Sequence, residues 1–465
     1  MTFVPPETED APDAPSPPED YGLDDAQVAA VSHALAEDDP APVQEITQAL
    51  HAADLADLIE RLEPEERHAF VRMLGGEVNP EALSHLVPQV REEVIDDIGP
   101  RGLATALSEL DSDDAVEIFE DLDGAFRQRI LTQLPEAYRL ILEEAIAFPE
   151  ESAGRLMQRE VVAIPMTWTV GQTIDFMRSA VDLPEDFYDL FVVDPKHKPQ
   201  GLVPLSRVLR ARRPTPITEI MDSDMRVVSF ATDQEEVAYL FRQYGLVSAP
   251  VVDDANRVIG MITVDDIVHV IDEEAEDDLM KLGGVGESDL YGRLLETARS
   301  RATWLVVNLG TAVLASLVIG LFEATLQQAV ALAVLMPIVA SMGGNAGTQT
   351  LTVAVRALAM KELTPANTLR FIGKELTVGL INGAVFALLV GVVAMIWFAR
   401  PDIAVILGIA MIVNLVVAGL SGTLIPLGLA KLRIDPAVAS AVFLTTITDV
   451  VGFFAFLGLA AAFIL

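Results

Sequence analysis

The stretch PAVASAVFLTTITDVVGFFAFLGLAAAFIL, residues 436–465, contains one charged side chain, Asp449, in an otherwise apolar run. A helix of this length is long enough to cross the roughly 30 Å hydrocarbon layer of a membrane. Four other apolar runs precede it, at about 303–322, around 333–347, and at about 376–398 and 403–429. We therefore predict a domain of five transmembrane helices over residues 302–465, the last of them at 437–465.

The charge of the chain is concentrated before this domain. The sequence has 31 Lys+Arg and 69 Asp+Glu, of which residues 302–465 hold only seven and six. By difference, residues 1–301 hold 24 basic and 63 acidic residues, a net charge of −39. So acidic a surface repels phosphate and argues against a nucleic-acid partner. The absence of cysteine excludes a disulfide scaffold, a thiolate metal site and a cysteine nucleophile.

Basic residues mark the two sides of the predicted membrane domain. They lie before the first span and in the loops after the second and the fourth, whereas the opposite side has only Arg400. These residues are Arg299, Arg301, Arg356, Lys361, Arg370, Lys374, Lys431 and Arg433. The positive-inside rule predicts a multi-pass protein of the inner (plasma) membrane, with cytoplasmic N-terminal domains and an external C-terminus.

The N-terminal third of the sequence divides into a tail and a helical domain. Residues 1–22 are rich in proline and acid and contain no Lys or Arg, which predicts a disordered acidic tail. In residues 23–155, leucines recur at helical spacing between short breaks that contain Asp, Ser and Pro. This pattern predicts an acidic all-α N domain, and both a superhelical stack and an ordinary helical bundle fit it.

A tandem repeat follows the N domain. Residues 156–178 align with 220–242, and residues 191–209 align with 250–268, so each copy ends in strand, turn, strand and helix. The two copies, at 156–214 and 215–273, resemble a pair of CBS domains, which implies an α/β fold. A strongly acidic connecting helix is predicted over 274–301, between this pair and the membrane domain.

Asp449 is the residue of the membrane domain with the clearest functional signal. It lies about 20 Å along its predicted helix, near the middle of the membrane, where a carboxylate is costly unless it meets water or a cation. Thr445 lies on the same helical face, one turn earlier. In the second span, the run SMGGNAG (341–347) places glycines, which have no side chain, on both sides of Asn345. These glycines fit either close helix packing or backbone carbonyls exposed to a water-filled path.

The acidic residues next to the membrane domain favour a hard cation. Oxygen ligands without cysteine favour magnesium, calcium or manganese over zinc or copper. Magnesium keeps most of its water and is usually held by only one or two carboxylates.

The order of parts and three motifs resemble the MgtE family of magnesium channels and transporters. The motifs are GGNAGTQ (343–349), DPA (435–437) and TTITDVVGF (445–453). The resemblance implies a homodimer with one pore on its two-fold axis, a membrane-embedded transporter rather than an enzyme. It also implies that Asp449 of both subunits holds a hydrated Mg²⁺ with Ser341, Asn345 and Thr445 nearby, and that Mg²⁺ enters down its electrochemical gradient.

The resemblance also implies regulation by intracellular Mg²⁺, which would bridge the N domain, the CBS pair and the connecting helix and so close the pore. The acidic residues that it points to are Asp113, Asp114, Glu235, Asp266, Glu274, Asp277 and Asp278. Gly245 and His269 stand where the family pattern would have carboxylates. The T-x-x-D motif formed by Thr263 and Asp266 resembles a ribose-contacting signature, so ATP is a candidate ligand of the CBS pair.

Three alternative functions would require different residues in the membrane domain. A CBS-regulated secondary transporter of another divalent cation or a solute is the main alternative; for an anion it would need a cationic or Ser/Gly-rich site, whereas the sequence predicts a single buried acid, Asp449. An intramembrane metalloprotease would need an HExxH motif, which the sequence lacks. A magnesium sensor without transport would not need an acid in the middle of the membrane.

Overall fold

The computed structural model describes residues 22–75, 78–180, 183–184, 187–285 and 294–464. The predicted acidic tail, apart from Gly22, lies outside the described residues, as does part of the predicted connecting segment. The chain forms two compact units, Met1–Val270 and Ile271–Leu465, which are described separately.

The N domain is all-α, as predicted. Its helices are α1 (Asp25–Glu37), α2 (Pro40–Ala49), α3 (Ala52–Arg61), α4 (Pro64–Met73), α5 (Pro80–His85), α6 (Pro88–Leu107), α7 (Ser112–Glu120), α8 (Gly124–Leu131), α9 (Glu136–Ile146) and α10 (Ala153–Leu156). Helix α3 packs on α5, α5 on α7 and α7 on α9, while α4 packs on α6 and α6 on α8. This alternation is that of a superhelical stack, and one continuous apolar core that includes Leu58, Phe70 and Phe119 runs through it.

The helix starts in this domain follow from local sequence. Asp24 and Gln27 form a capping box at α1, and proline occupies the first turn of α2, α4 and α5, where its missing N–H costs nothing. Within α6, Gly99 adopts a left-handed conformation (φ 68°) directly before Pro100, so the chain bends there.

The two CBS copies have the same topology. The first contains β1 (Ala163–Pro165), α11 (Val170–Ser179), β2 (Asp189–Val193), β3 (Pro199–Pro204) and α12 (Leu205–Arg210). The second contains β4 (Val228–Ser229), α13 (Gln234–Tyr244), β5 (Ser248–Val252), β6 (Val258–Thr263) and α14 (Val264–Gly283), after a short 3₁₀ turn at Ile217–Glu219. In each sheet the middle strand pairs parallel with the first and antiparallel with the last, and the register shifts at the matching place.

The membrane domain has five helices long and apolar enough to cross a membrane, which confirms the predicted fold class. Its elements are α15 (Leu294–Gly320), the short α16 (Glu323–Gln328), α17 (Val330–Ala359), α18 (Thr368–Phe398), α19 (Pro401–Lys431) and α20 (Pro436–Ile464). Helix α19 is central and packs against α17, α18 and α20, whereas α15 packs mainly on α20. Gly379 and Gly383 of α18 let that helix approach the backbone of α19 closely.

Candidate functional site

Four predicted pore residues lie on two neighbouring helices. Ser341 and Asn345 are on α17 and are exposed, while Thr445 and the half-buried Asp449 are on α20. The Asn345 amide nitrogen lies 3.5 Å from the Ser341 hydroxyl, and the Thr445 hydroxyl donates to the Ala441 carbonyl at 2.9 Å. Helices α17 and α20 pack against each other, and each carries polar, exposed oxygen atoms in a largely apolar domain. Such a surface is stable in a membrane only where protein or water covers it.

The glycines of the second span have two different surroundings. A Cβ on Gly343 would lie 2.2 Å from the Asn414 amide nitrogen, and one on Gly347 would lie 2.7 Å from a methyl of Leu444. A Cβ on Gly344 would meet nothing within 4 Å. Close packing inside the subunit therefore explains Gly343 and Gly347, and only Gly344 of these three faces open space.

The sequence prediction of a single buried acid in the membrane domain is wrong. Helix α18 begins at Thr368, eight residues earlier than predicted, and this places Glu375 within the helix with 8 % of its surface exposed. The Thr350 hydroxyl donates to its carboxylate at 3.0 Å. Lys374, Glu375 and Asn382 line a cavity of about 290 Å³ beside α17 and α19. The signal available in sequence was the Lys-Glu pair at the edge of an apolar run, which is ordinarily an interfacial charge.

Three of the predicted regulatory acids come together in the cytosolic unit. Asp113 and Asp114 lie in the first turn of α7, and Asp266 lies in the first turn of α14. Burial and the neighbouring Asp266 raise the pKa of Asp113 well above its usual range. Burial raises the pKa of Asp114 to about 7, with Glu117 and Asp266 adding to the effect, and burial raises the pKa of Asp266 to about 6. The fold therefore favours the protonated forms of these three carboxylates.

The N domain and the CBS pair are joined beside this cluster. The Ser112 hydroxyl donates to Glu160 at 2.7 Å and accepts from the Arg159 backbone N–H at 2.7 Å. The Arg159 guanidinium lies 3.4 Å from Glu144 and donates to the Ile259 carbonyl at 3.2 Å. These contacts hold α7 and the start of the first CBS copy in a defined relation.

The T-x-x-D motif forms a local helix cap. The Thr263 hydroxyl donates to the Asp266 carboxylate at 2.7 Å, and the Thr263 backbone N–H points to the same oxygen at 3.4 Å. The Asp266 side chain thus caps the first turn of α14, so the motif has a structural reason that is independent of any nucleotide.

The two departures from the acidic family pattern also have structural reasons. Gly245 ends α13 in a left-handed conformation (φ 61°), which glycine adopts without strain. The His269 ring lies 6.3 Å from the ring of His85, centroid to centroid. Burial, the charge of His269 and that of His51 lower the pKa of His85.

Within the membrane unit, a lysine binds the acidic end of α14 to the loop before α20. The Lys281 ammonium group pairs with Asp277 and lies 2.9 Å from the Asp435 carboxylate. Burial opposes protonation of Lys281, but the hydrogen bonds that its ammonium group donates to both carboxylates raise its pKa overall. Burial and the charge of Asp435 raise the pKa of Asp278. The next residue, Leu282, packs with a small apolar cluster formed by Leu351, Val355, Ala437 and Leu444.

The two remaining predicted ligands lie on α13 and α14. Glu235 is in the first turn of α13, and Glu274 is in the second half of α14. Within the described ranges, no three His, Asp or Glu side chains are arranged so that they could already hold a metal ion. A largely hydrated ion, held through its waters, needs fewer direct protein ligands than such a cage.

Family models match the N domain, the CBS pair and most of the membrane domain. A model for the intracellular N domain of MgtE matches residues 50–151, a CBS-domain model matches 153–213 and 217–273, and the MgtE divalent cation transporter model matches 336–459. The last match includes Ser341, Asn345 and Asp449.

Named relatives show the same similarity over their full length. The chain is 33 % identical to the magnesium transporter MgtE of Thermus thermophilus, over 94 % of this chain and 98 % of the relative. It is 28 % identical to that of Bacillus subtilis, over 89 % and 92 %. A crystal structure of the cytosolic domain of the Mg²⁺ channel MgtE in complex with ATP matches with 32 % identity and a TM-score of 0.49, covering 52 % of this chain and 99 % of that one.

Proposed function

Because the chain belongs to the MgtE family of divalent cation transporters, we propose that it is a magnesium channel through which Mg²⁺ enters the cell down its electrochemical gradient. It is a transporter rather than an enzyme. The observation that carries the proposal is the set of polar side chains Ser341, Asn345, Thr445 and Asp449 on the adjacent helices α17 and α20, in a domain that is largely apolar.

The exposed polar surface supports a homodimer with the pore on its two-fold axis. A second copy of the chain would cover Asn345 and Thr445 and would bring two Asp449 carboxylates to one water-filled path. Two carboxylates and several amide or hydroxyl oxygens suit Mg²⁺, because this ion dehydrates reluctantly and is held largely through its own waters. A divalent ion gains about 4.6 kcal/mol on entering across 100 mV, inside negative, so uptake needs no further energy source.

The acidic clusters support closure by intracellular Mg²⁺. In the cytosolic unit, Asp266 lies close enough to raise the pKa of both Asp113 and Asp114, and a divalent cation would relieve that repulsion. In the membrane unit, Asp277, Asp278 and Asp435 lie together around Lys281. Mg²⁺ at these places would draw the regulatory parts together and favour a closed pore. ATP binding through Thr263 and Asp266 stays a prediction, which direct titration with a fluorescent ATP analogue would test.

The proposed orientation places the cytosolic unit and the acidic end of α14 inside the cell and the C-terminus outside. This assignment rests on the Lys and Arg residues in the first turns of α15, around the junction of α17 and α18, and around the junction of α19 and α20. It puts the regulatory acids in the compartment whose Mg²⁺ they would sense.

Transport into proteoliposomes tests the function directly. Purified protein is reconstituted in vesicles that contain a magnesium-sensitive dye, and the initial rate of Mg²⁺ entry is followed with an inside-negative potential. The proposal predicts entry that requires protein and increases with the potential, whereas no entry above empty vesicles would refute it.

A charge-neutral variant separates gating from permeation. With Glu274→Gln, Asp277→Asn and Asp278→Asn combined, patch recordings should show current that persists when internal Mg²⁺ is raised to a level that closes the parent channel. Equal inhibition of both proteins would show that the acidic end of α14 has no part in gating, and it would leave the proposal on permeation unaffected.

A further inference from the structure

Asn414 is a fully buried amide at the centre of the membrane domain. It lies in α19, has no exposed surface, and donates from Nδ2 to the Val339 carbonyl of α17 at 2.8 Å. Its Oδ1 atom is buried as well, and no donor among the described residues reaches it. A buried acceptor without a partner costs about 1–3 kcal/mol, so the position calls for an explanation other than stability.

The Asn414 side chain is held between two glycines on different helices. A Cβ on Gly343 of α17 would lie 2.2 Å from Nδ2, and a Cβ on Gly452 of α20 would lie 2.8 Å from the same atom. Neither separation is possible for a real side chain, and the amide has no exposed volume to move into. At the position of Asn414, the separation of α17 and α20 is therefore fixed by the single amide group that lies between their two glycines.

The two glycines lie beside the proposed pore residues in sequence. Gly343 falls between Ser341 and Asn345, and Gly452 follows Asp449 by three residues, which is about one helical turn. A change in the contact at Asn414 would therefore shift the oxygens of α17 relative to the carboxylate of α20. Because both glycines face Asn414, the polar residues on the same helical turns present other faces, and Ser341 and Asn345 are exposed.

We propose that Asn414 is a positioning residue that sets the width of the ion path, and thereby the preference for hydrated Mg²⁺, through its contact with Gly343, Gly452 and Val339. The inference rests on the proposed function, because it takes Asp449 and Asn345 as the residues that meet the ion. Asn414 itself touches no ion, since it is enclosed within one subunit.

Leucine is the sharpest replacement, because it has a similar volume and removes both the hydrogen bond and the unpaired oxygen. The variants are Asn414→Leu, Gly343→Ala and Gly452→Ala, with Asn414→Ser as a smaller second replacement should leucine prevent assembly. Gly428→Ala is the matched control, because it makes the same substitution in α19 where a Cβ meets nothing within 4 Å.

The test measures selectivity in proteoliposomes as the ratio of initial Mg²⁺ entry to initial Ca²⁺ entry under one potential. This ratio does not depend on how much folded protein each preparation contains, so a merely structural role would not change it. We expect the ratio to fall about tenfold in Asn414→Leu and in the two glycine variants, and to stay at the parental value in Gly428→Ala.

An unchanged ratio in the Asn414 and Gly343 variants would overturn the inference, as would an equal fall in the Gly428 control. Asp449→Ala is added to each background to separate the two claims. Entry that persists in the Asp449→Ala protein would refute the proposed pore itself, whereas abolished entry with an unchanged Asn414 ratio would refute only the role of Asn414.

Discussion

We predict that the proposed closure by Mg²⁺ depends strongly on pH, because of the acid cluster in the cytosolic unit. Asp113, Asp114 and Asp266 have pKa values raised in the folded protein, so the fold favours their protonated forms. Without Mg²⁺, the contact between the N domain and the CBS pair is therefore most stable below the ordinary pKa near 3.8 and loses stability as the pH rises through about 7. Mg²⁺ binds the ionised carboxylates and releases protons, so the affinity of the cluster for Mg²⁺ increases as the pH rises.

The expected magnitude follows from two of the pKa values. A group with a pKa of about 7, as for Asp114, is roughly one tenth ionised at pH 6 and roughly nine tenths ionised at pH 8. A group with a pKa of about 6, as for Asp266, goes from about one half to nearly full ionisation. If both must be ionised to bind Mg²⁺, the affinity rises about 20-fold between pH 6 and pH 8, or about 2 kcal/mol.

The assay is protection of the soluble region from protease in full-length protein, titrated with Mg²⁺ at pH 6, 7 and 8. Asp114→Asn should remove most of the pH dependence and leave about a twofold change, because only the ionisation of Asp266 then remains in this range. The control Glu109→Gln changes an exposed acid of the same domain. A midpoint that does not move with pH in the parent, or that moves equally in Asp114→Asn, would refute the reasoning.

Three other predictions follow from single features. Lys281→Met should lower the Mg²⁺ concentration that closes the pore by roughly tenfold, because the ion no longer competes with an ammonium group for Asp277 and Asp435; patch recordings that give the parental midpoint would contradict it. The double change Gly245→Asp with His269→Asp should also lower the Mg²⁺ concentration at the midpoint of protease protection, by roughly tenfold for each new carboxylate that meets the ion. Its control is the uncharged pair Gly245→Asn with His269→Asn, which has the same left-handed strain at position 245. Equal midpoints in the two pairs would mean that these positions do not contribute to the gate. A reporter fused after Leu465 should be outside the cell, and a cytoplasmic reporter would overturn the proposed orientation.

The sequence predicted the class of each part because strong periodic signals decide it. Five apolar runs of this length are typical of membrane-spanning helices, in which every backbone polar group is hydrogen-bonded within the helix. The repeat with offsets near 60 residues predicts two copies of one strand–helix unit. The structure decides between the two arrangements left open for the N domain, since the contacts of α3, α5, α7 and α9 form a stack. Leucine spacing alone could not do so, because bundle and stack bury the same helical faces.

The residues that sequence reasoning missed depend on partners that are distant in the chain. Glu375 is buried because Thr350 donates to it, and Lys281 acts as a bridge because Asp435 lies opposite. Asn414 is buried between Gly343 and Gly452, which stand 71 residues before it and 38 after it. Likewise, the sequence shows Gly245 only as a position without the expected carboxylate, whereas its left-handed backbone conformation explains why glycine is there.

The most direct test of the central claim is Mg²⁺ entry into proteoliposomes containing Asp449→Ala, compared with the parent protein at equal amounts of folded protein. Asp449 is the only charged residue of α20, so its loss should not impair insertion of the helix into the membrane. The account predicts that entry falls to the level of empty vesicles while the protein keeps its oligomeric state on gel filtration. Magnesium entry at the parental rate would contradict it.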